Sequence, residues 1–157
     1  MRRICMLVIA LALAACAQTA RESLDEARLA LAESRYADAI ATADAGLAGD
    51  ADAVTTWGLE LVKLEALARD GRGDDTVAQL ENLAGMRPEQ MPAAQYSATA
   101  DQLRAAGQGP AAIQALDAGL KRFPEDQTLL ALIEEAKTAP APGSDELEML
   151  RSLGYVD

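Results

Sequence analysis

The chain has 157 residues, half of them hydrophobic, with a formal net charge of −11 and no histidine. Such acidity argues against nucleic acid or an anionic lipid surface as the primary ligand. Without an imidazole the commonest general base, metal ligand and partner of a nucleophilic serine are gone, so zinc and Ser-His chemistry are excluded and no catalytic or metal-binding residue is assigned.

The first element is an amino-terminal signal. Arg2 and Arg3 precede a short apolar run, Ile4 to Ala12, and Leu13-Ala14-Ala15 leads into Cys16. The run is shorter than the about 20 apolar residues that a membrane-spanning helix needs. The tetrapeptide ending in Cys16 resembles the processing site of bacterial lipoproteins. The resemblance implies that residues 1–15 are removed as a signal peptide, that Cys16 becomes the first residue, and that a diacylglycerol on its sulfur, with an acyl chain on its nitrogen, is the only covalent group carried. No other cofactor is expected. Two or three acyl chains, each methylene contributing about 0.8 kcal/mol, hold far more durably than one. Ala17 stands where an aspartate would favour inner-membrane retention in Gram-negative members, which implies an outer-membrane lipoprotein facing the periplasm. An ordinary secretory signal cleaved near Ala15 or Ala17 is the alternative. Cys5 leaves with the signal and Cys16 is lipidated, so no thiol remains for a disulfide and stability must come from packing.

Residues 16–20 then form a tether. Beyond it no stretch shows the β-branched alternation of strands, while alanine, leucine and acidic residues dominate, which predicts an all-α fold. Ala39-Ile40 and Asp44-Ala45-Gly46-Leu47 recur as Ala112-Ile113 and Asp117-Ala118-Gly119-Leu120, 73 residues later. Between them, Leu67, Gly71, Gly73, Val77, Leu80 and Pro88 precede Leu103, Gly107, Gly109, Ile113, Leu116 and Pro124 by 36 residues. This period predicts three two-helix units forming a short helical-hairpin solenoid over residues 21–137. The units resemble tetratricopeptide repeats, on Ala27, Tyr36, Ala39, Ile40, Ala43, Gly46 and Leu47 in the first, and on Tyr96, Ala100, Leu103, Gly107, Ala112, Ile113, Leu116, Gly119, Leu120 and Pro124 in the third. The period is two or three residues longer than that family's, and the second unit lacks the small residue expected before Val77, so other two-helix repeat families stay open.

Asp70 to Asp74 and Gly107 to Pro110 break helices, with Pro110 placed to begin the next. A capping helix is expected from about Asp126 to Lys137, and residues 138–144, with Pro140, Pro142 and Gly143, read as a linker. In the tail, residues 145–157, Leu147, Met149, Leu150 and Leu153 share a broad face of a short helix that Gly154 ends, and Tyr155 and Val156 follow. The tail resembles the Leu-x-x-Leu-Gly-Tyr-Val segment that ends many bacterial sulfatase-like domains. It either folds back on the repeats or serves as a tethered recognition peptide through Leu147, Leu150, Leu153 and Tyr155.

Other motifs carry less. Asp50-Ala51-Asp52 lacks the ligand and glycine positions of a calcium loop, and Arg72-Gly73-Asp74 reads as a polar turn. Trp57, with Val54, Leu61 and Leu64, is expected to face the core. In tetratricopeptide-like stacks the first helix of each pair lines a concave groove, which places those helices at about residues 22–33, 53–69 and 93–106 and offers Arg28, Lys63, Gln95, Thr99 and Gln102 as groove residues. The expected protein is a lipid-anchored adaptor that binds protein or peptide partners in the bacterial envelope and catalyses nothing. An accessory subunit of an envelope enzyme, or a cell-wall or small-ligand binding lipoprotein, is the alternative, and the oligomeric state is open.

Overall fold

A computed structural model of the chain describes residues 19–138, 140 and 143–157, all helix, turn or irregular backbone, with no strand among them. Cys16 and the signal lie outside the described residues. Among the described residues eight α-helices follow one another: α1 (19–32), α2 (Tyr36–Leu47), α3 (Ala53–Arg69), α4 (Gly73–Met86), α5 (Ala93–Ala105), α6 (Gly109–Arg122), α7 (Gln127–Thr138) and α8 (Asp145–Ser152), with one 3₁₀ turn at Pro88–Gln90. The fold is all-α, built of helix pairs. Two compact units divide within α3, one ending at Ala66 and one beginning at Leu67.

The repeat seen in the letters recurs in the backbone. Ser34, Gly71 and Gly107 each adopt positive φ (60°, 75° and 75°), and the residue after each sends its amide back into the preceding helix. Arg35 N–H donates to the Ala30 carbonyl at 2.8 Å, Arg72 to Leu67 at 3.1 Å and Gln108 to Leu103 at 2.8 Å. This left-handed cap satisfies carbonyls that the helix end would leave orphaned. Two copies use glycine, which enters that region without a Cβ penalty, and the first uses serine.

In the first unit Leu24, Ala27, Ala43, Leu59 and Val62 form the core, with Leu31 and Leu47 packed against it. Ala27 and Ala39 are wholly buried. Gly46 lets the helices meet, since a Cβ there would lie 2.9 Å from both Leu59 Cδ1 and Ser23 Cβ. Asp52 caps α3, accepting the amides of Val54 (3.0 Å) and Thr55 (2.9 Å), the Thr55 hydroxyl and the Arg21 guanidinium. The Thr55 amide and hydroxyl, then Arg21, hold its carboxyl down to about 2. Its oxygens thus serve the start of α3.

One expectation is corrected in this unit. Val54 is 80% exposed, and the buried stripe of α3 runs instead through Thr55, Leu59, Val62 and Ala66. Leu64 is buried as expected, while Trp57 and Leu61 are half-buried. The close approach of Leu59 to Gly46 sets the rotation of the helix, and Thr55 is admitted inside because Asp52 accepts its hydroxyl proton.

The second unit centres on α6, which packs against α4, α5, α7 and α8. Ala111, Ala112, Ile113, Ala115, Leu116, Asp117, Gly119 and Leu120 are accordingly buried, nearly the whole circumference. Gly119 repeats the role of Gly46, because a Cβ there would lie 2.9 Å from Tyr96 Cβ and from Leu129 Cδ1. Thr76 occupies the position in the second repeat where a small residue is expected; it is wholly buried and its hydroxyl donates to the Arg72 carbonyl at 2.7 Å. Arg122 reaches the carbonyls of Ala84 (3.0 Å) and Pro88 (3.1 Å), fastening the chain that leaves α4 to the end of α6. Asp126 starts α7 by accepting the amides of Thr128 and Leu129, both at 3.0 Å. Gly73 is packed against Ala111 and Gln108, and Arg72 pairs with Asp75 at 2.6 Å, so Arg72-Gly73-Asp74 is a helix start built into the unit.

The tail folds back. Ser144 caps α8 by accepting the Leu147 amide at 3.3 Å, Leu150 is wholly buried, and α8 lies on α6. Gly154, at φ 81°, repeats the left-handed cap, with Tyr155 N–H donating to the Leu150 carbonyl at 2.9 Å. That turn delivers the Tyr155 hydroxyl to Asp117 Oδ1 at 3.0 Å.

Candidate functional site

Small side chains on neighbouring helices of the second unit leave space between them. Ala100 on α5, Gly109 and Ala112 on α6 and Ala136 on α7 line a cavity of about 380 Å³, within the range of ligand sites. Ile113, Leu116 and Leu132 complete its apolar floor, and Pro140, Ser144 and Glu146 of the linker and tail form one wall. The cavity therefore exists in this form only while the tail is docked.

Its charged members are Asp101, Arg104, Glu135 and Glu146. Arg104 is committed to both carboxylates beside it, at 2.9 Å to Asp101 on its own helix and 3.0 Å to Glu135 on α7. This exposed clasp ties α5 to α7 and contributes little stability in water. Glu146 has no cation partner among the described residues; its carboxylate lies against Gly109 at the start of α6, where the partial positive charge of the helix end favours an anion. Three carboxylates against one guanidinium leave the cavity lining acidic.

The tail is also held to α6 by Asp117. That carboxylate is 8% exposed and accepts from Tyr155 at 3.0 Å and from Lys121 at 2.7 Å. Lys137 of α7 stands 5.9 Å over the Tyr155 ring. Burial first, and the Asp117 carboxylate second, push the Tyr155 phenol up to about 12.

The residues expected to line a groove fall elsewhere. Arg28 lies exposed on α1, 3.9 Å from Asp25, and Lys63 on α3 is bound to Asp44 at 2.6 Å, both in the first unit. Gln95, Thr99 and Gln102 share α5 in the second. Thr99 is wholly buried and its hydroxyl donates to the Gln95 carbonyl at 2.8 Å, so its polar group is turned inward and taken. Gln95 and Gln102 are half-buried, and none of the five lines the cavity. Of the tail residues, Leu150 is buried against this chain, Leu147 and Leu153 are half-buried, and Tyr155 is bonded to Asp117. The cavity itself was signalled in the sequence by the concentration of alanine and glycine at Ala100, Gly109, Ala112 and Ala136, which reads equally as close helix packing.

Among the described residues no group of cysteine, aspartate or glutamate is placed to hold a metal ion, and no helix is long and apolar enough to cross a membrane. Comparison with protein-family models, curated proteins and solved structures returns no match.

Proposed function

We propose that this chain is a lipid-anchored adaptor of the bacterial envelope, tethered through acylated Cys16 at the outer membrane and facing the periplasm, which binds a protein or peptide partner and catalyses nothing. The signal-like segment ending in Cys16 supports the anchor. The three equivalent turns at Ser34, Gly71 and Gly107 support a tetratricopeptide-like repeat. The observation that carries the binding role is the cavity between α5, α6 and α7, with its apolar floor and charged rim.

Crosslinked capture from intact envelopes tests this reading, comparing the native chain with Ala136→Phe, which fills the cavity, after matching the helical content and melting temperature of the two. A defined partner captured by the native chain and lost with Ala136→Phe supports it. Equal capture by both sinks the cavity as the binding element, and mass spectrometry showing an unmodified Cys16 sinks the anchor. In the alternative, the tail engages an envelope enzyme, which requires Leu150 and Tyr155 to leave α6 first.

A further inference from the structure

We propose that the cavity takes a basic side chain of a partner peptide together with an aliphatic neighbour, and that Glu146 of the tail receives the basic group. The inference rests on the adaptor reading and names the chemistry of its ligand. A purely apolar occupant would leave the rim unexplained. The floor formed by Ile113, Leu116 and Leu132 suits the methylene stem of lysine or arginine, which buries along apolar surface while its head stays at a polar edge. An adjoining aliphatic side chain uses the remaining volume of about 380 Å³.

Charge selects the sign of the ligand. Asp101 and Glu135 already share Arg104, whereas Glu146 has no cation partner among the described residues and stands half-buried at the cavity wall. A cation arriving there gains a charge-assisted contact without breaking the Arg104 clasp. An acidic ligand would add a fourth carboxylate to three. The net charge of −11 on the chain acts in the same direction at longer range, drawing basic partners in. Because Glu146 belongs to the tail, binding the basic peptide and docking the tail stabilise one another.

The test is an NMR titration of the chain without its signal segment, residues 16–157, with the blocked peptide acetyl-Ala-Leu-Lys-Leu-Ala-amide and its counterpart carrying glutamate for lysine. The lysine peptide is expected to shift the amides of Gly109, Ala112 and Leu132 and to bind more tightly than the glutamate peptide. Glu146→Gln is expected to weaken it about fivefold, as for a partly screened ion pair, while Glu148→Gln, exposed on the same helix and outside the lining, leaves it unchanged. Equal binding of the two peptides, or indifference to Glu146→Gln, overturns the basic-ligand proposal and leaves the adaptor reading standing. Absence of any shift with either peptide also overturns it, and the Ala136→Phe capture then decides the adaptor reading separately.

Discussion

Tyr155, two residues before Asp157, donates its hydroxyl to Asp117 on α6 across 3.0 Å, and this contact fastens the tail to a carboxylate that also holds Lys121. The phenol pays no charge on docking because it stays protonated. Its pKa, raised by burial and by Asp117 from the ordinary 10 to about 12, means that the docked tail holds the proton more tightly than a free one. The contribution of this phenol to docking is therefore complete below pH 10 and disappears as the pH rises from 10 to 12. Amide exchange along α8 should accelerate through that window, and Tyr155→Phe should remove from the absorbance titration a phenol that titrates well above the ordinary 10. Loss on Tyr155→Phe of a phenol that titrates near the ordinary 10 would contradict the assignment.

Ser34 is the residue out of place among the three hairpin turns. It holds φ 60° where Gly71 and Gly107 hold 75°. Ser34→Gly should stabilise the protein by about 0.5–1 kcal/mol, the relief of a left-handed side-chain residue less the added freedom of glycine in the unfolded chain. Gly107→Ala provides the opposite sign: nothing lies within 4 Å of its would-be Cβ, so its cost of about 1–2 kcal/mol is conformational alone. Urea denaturation of the two variants measures both.

Gly46 and Gly119 should behave as packing glycines. Alanine has the higher helix propensity, by about 1 kcal/mol, yet at both positions the added carbon would lie 2.9 Å from a Cβ of the partner helix, on Ser23 or Tyr96, which a side-chain rotation does not relieve. Overpacking of this kind costs about 1–3 kcal/mol. Gly119→Ala is expected to lower the urea midpoint; a raised midpoint would show that α5 and α6 have room to part.

Tyr96 carries a buried polar cost. It is 1% exposed, its ring meets Phe123 edge-on at 6.1 Å, and its hydroxyl has no hydrogen-bond partner among the described residues. Burial raises its pKa accordingly. An unsatisfied buried hydroxyl costs about 1–3 kcal/mol, so Tyr96→Phe should keep the ring contact and raise the melting temperature. A fall would mean that a water or ligand serves this hydroxyl.

Helix positions were legible in the sequence because periodic apolar residues and turn glycines act locally: Gly71, Gly107 and Gly154 end helices wherever those helices pack. The 73-residue recurrence carried further, since Ser23 against Gly46 and Tyr96 against Gly119 are the same contact 73 residues apart. Rotation about a helix axis was less legible. Val54 and Thr55 are neighbours, and only the approach of Leu59 to Gly46 and the acceptance of the Thr55 hydroxyl by Asp52 decide that threonine goes inside and valine out.

By itself the sequence determined the all-helical class, the hairpin period and the amphipathic tail, because hydrophobic spacing and the steric demands of glycine and proline are properties of a short stretch of chain. Tertiary structure alone decided that the tail lies on α6, that Thr99 is closed off, and that Glu146 lies against Gly109. Those juxtapositions join residues up to 38 positions apart, as Asp117 and Tyr155 are, and depend on how tightly α5, α6 and α7 pack, a balance of many small contacts that no local pattern encodes.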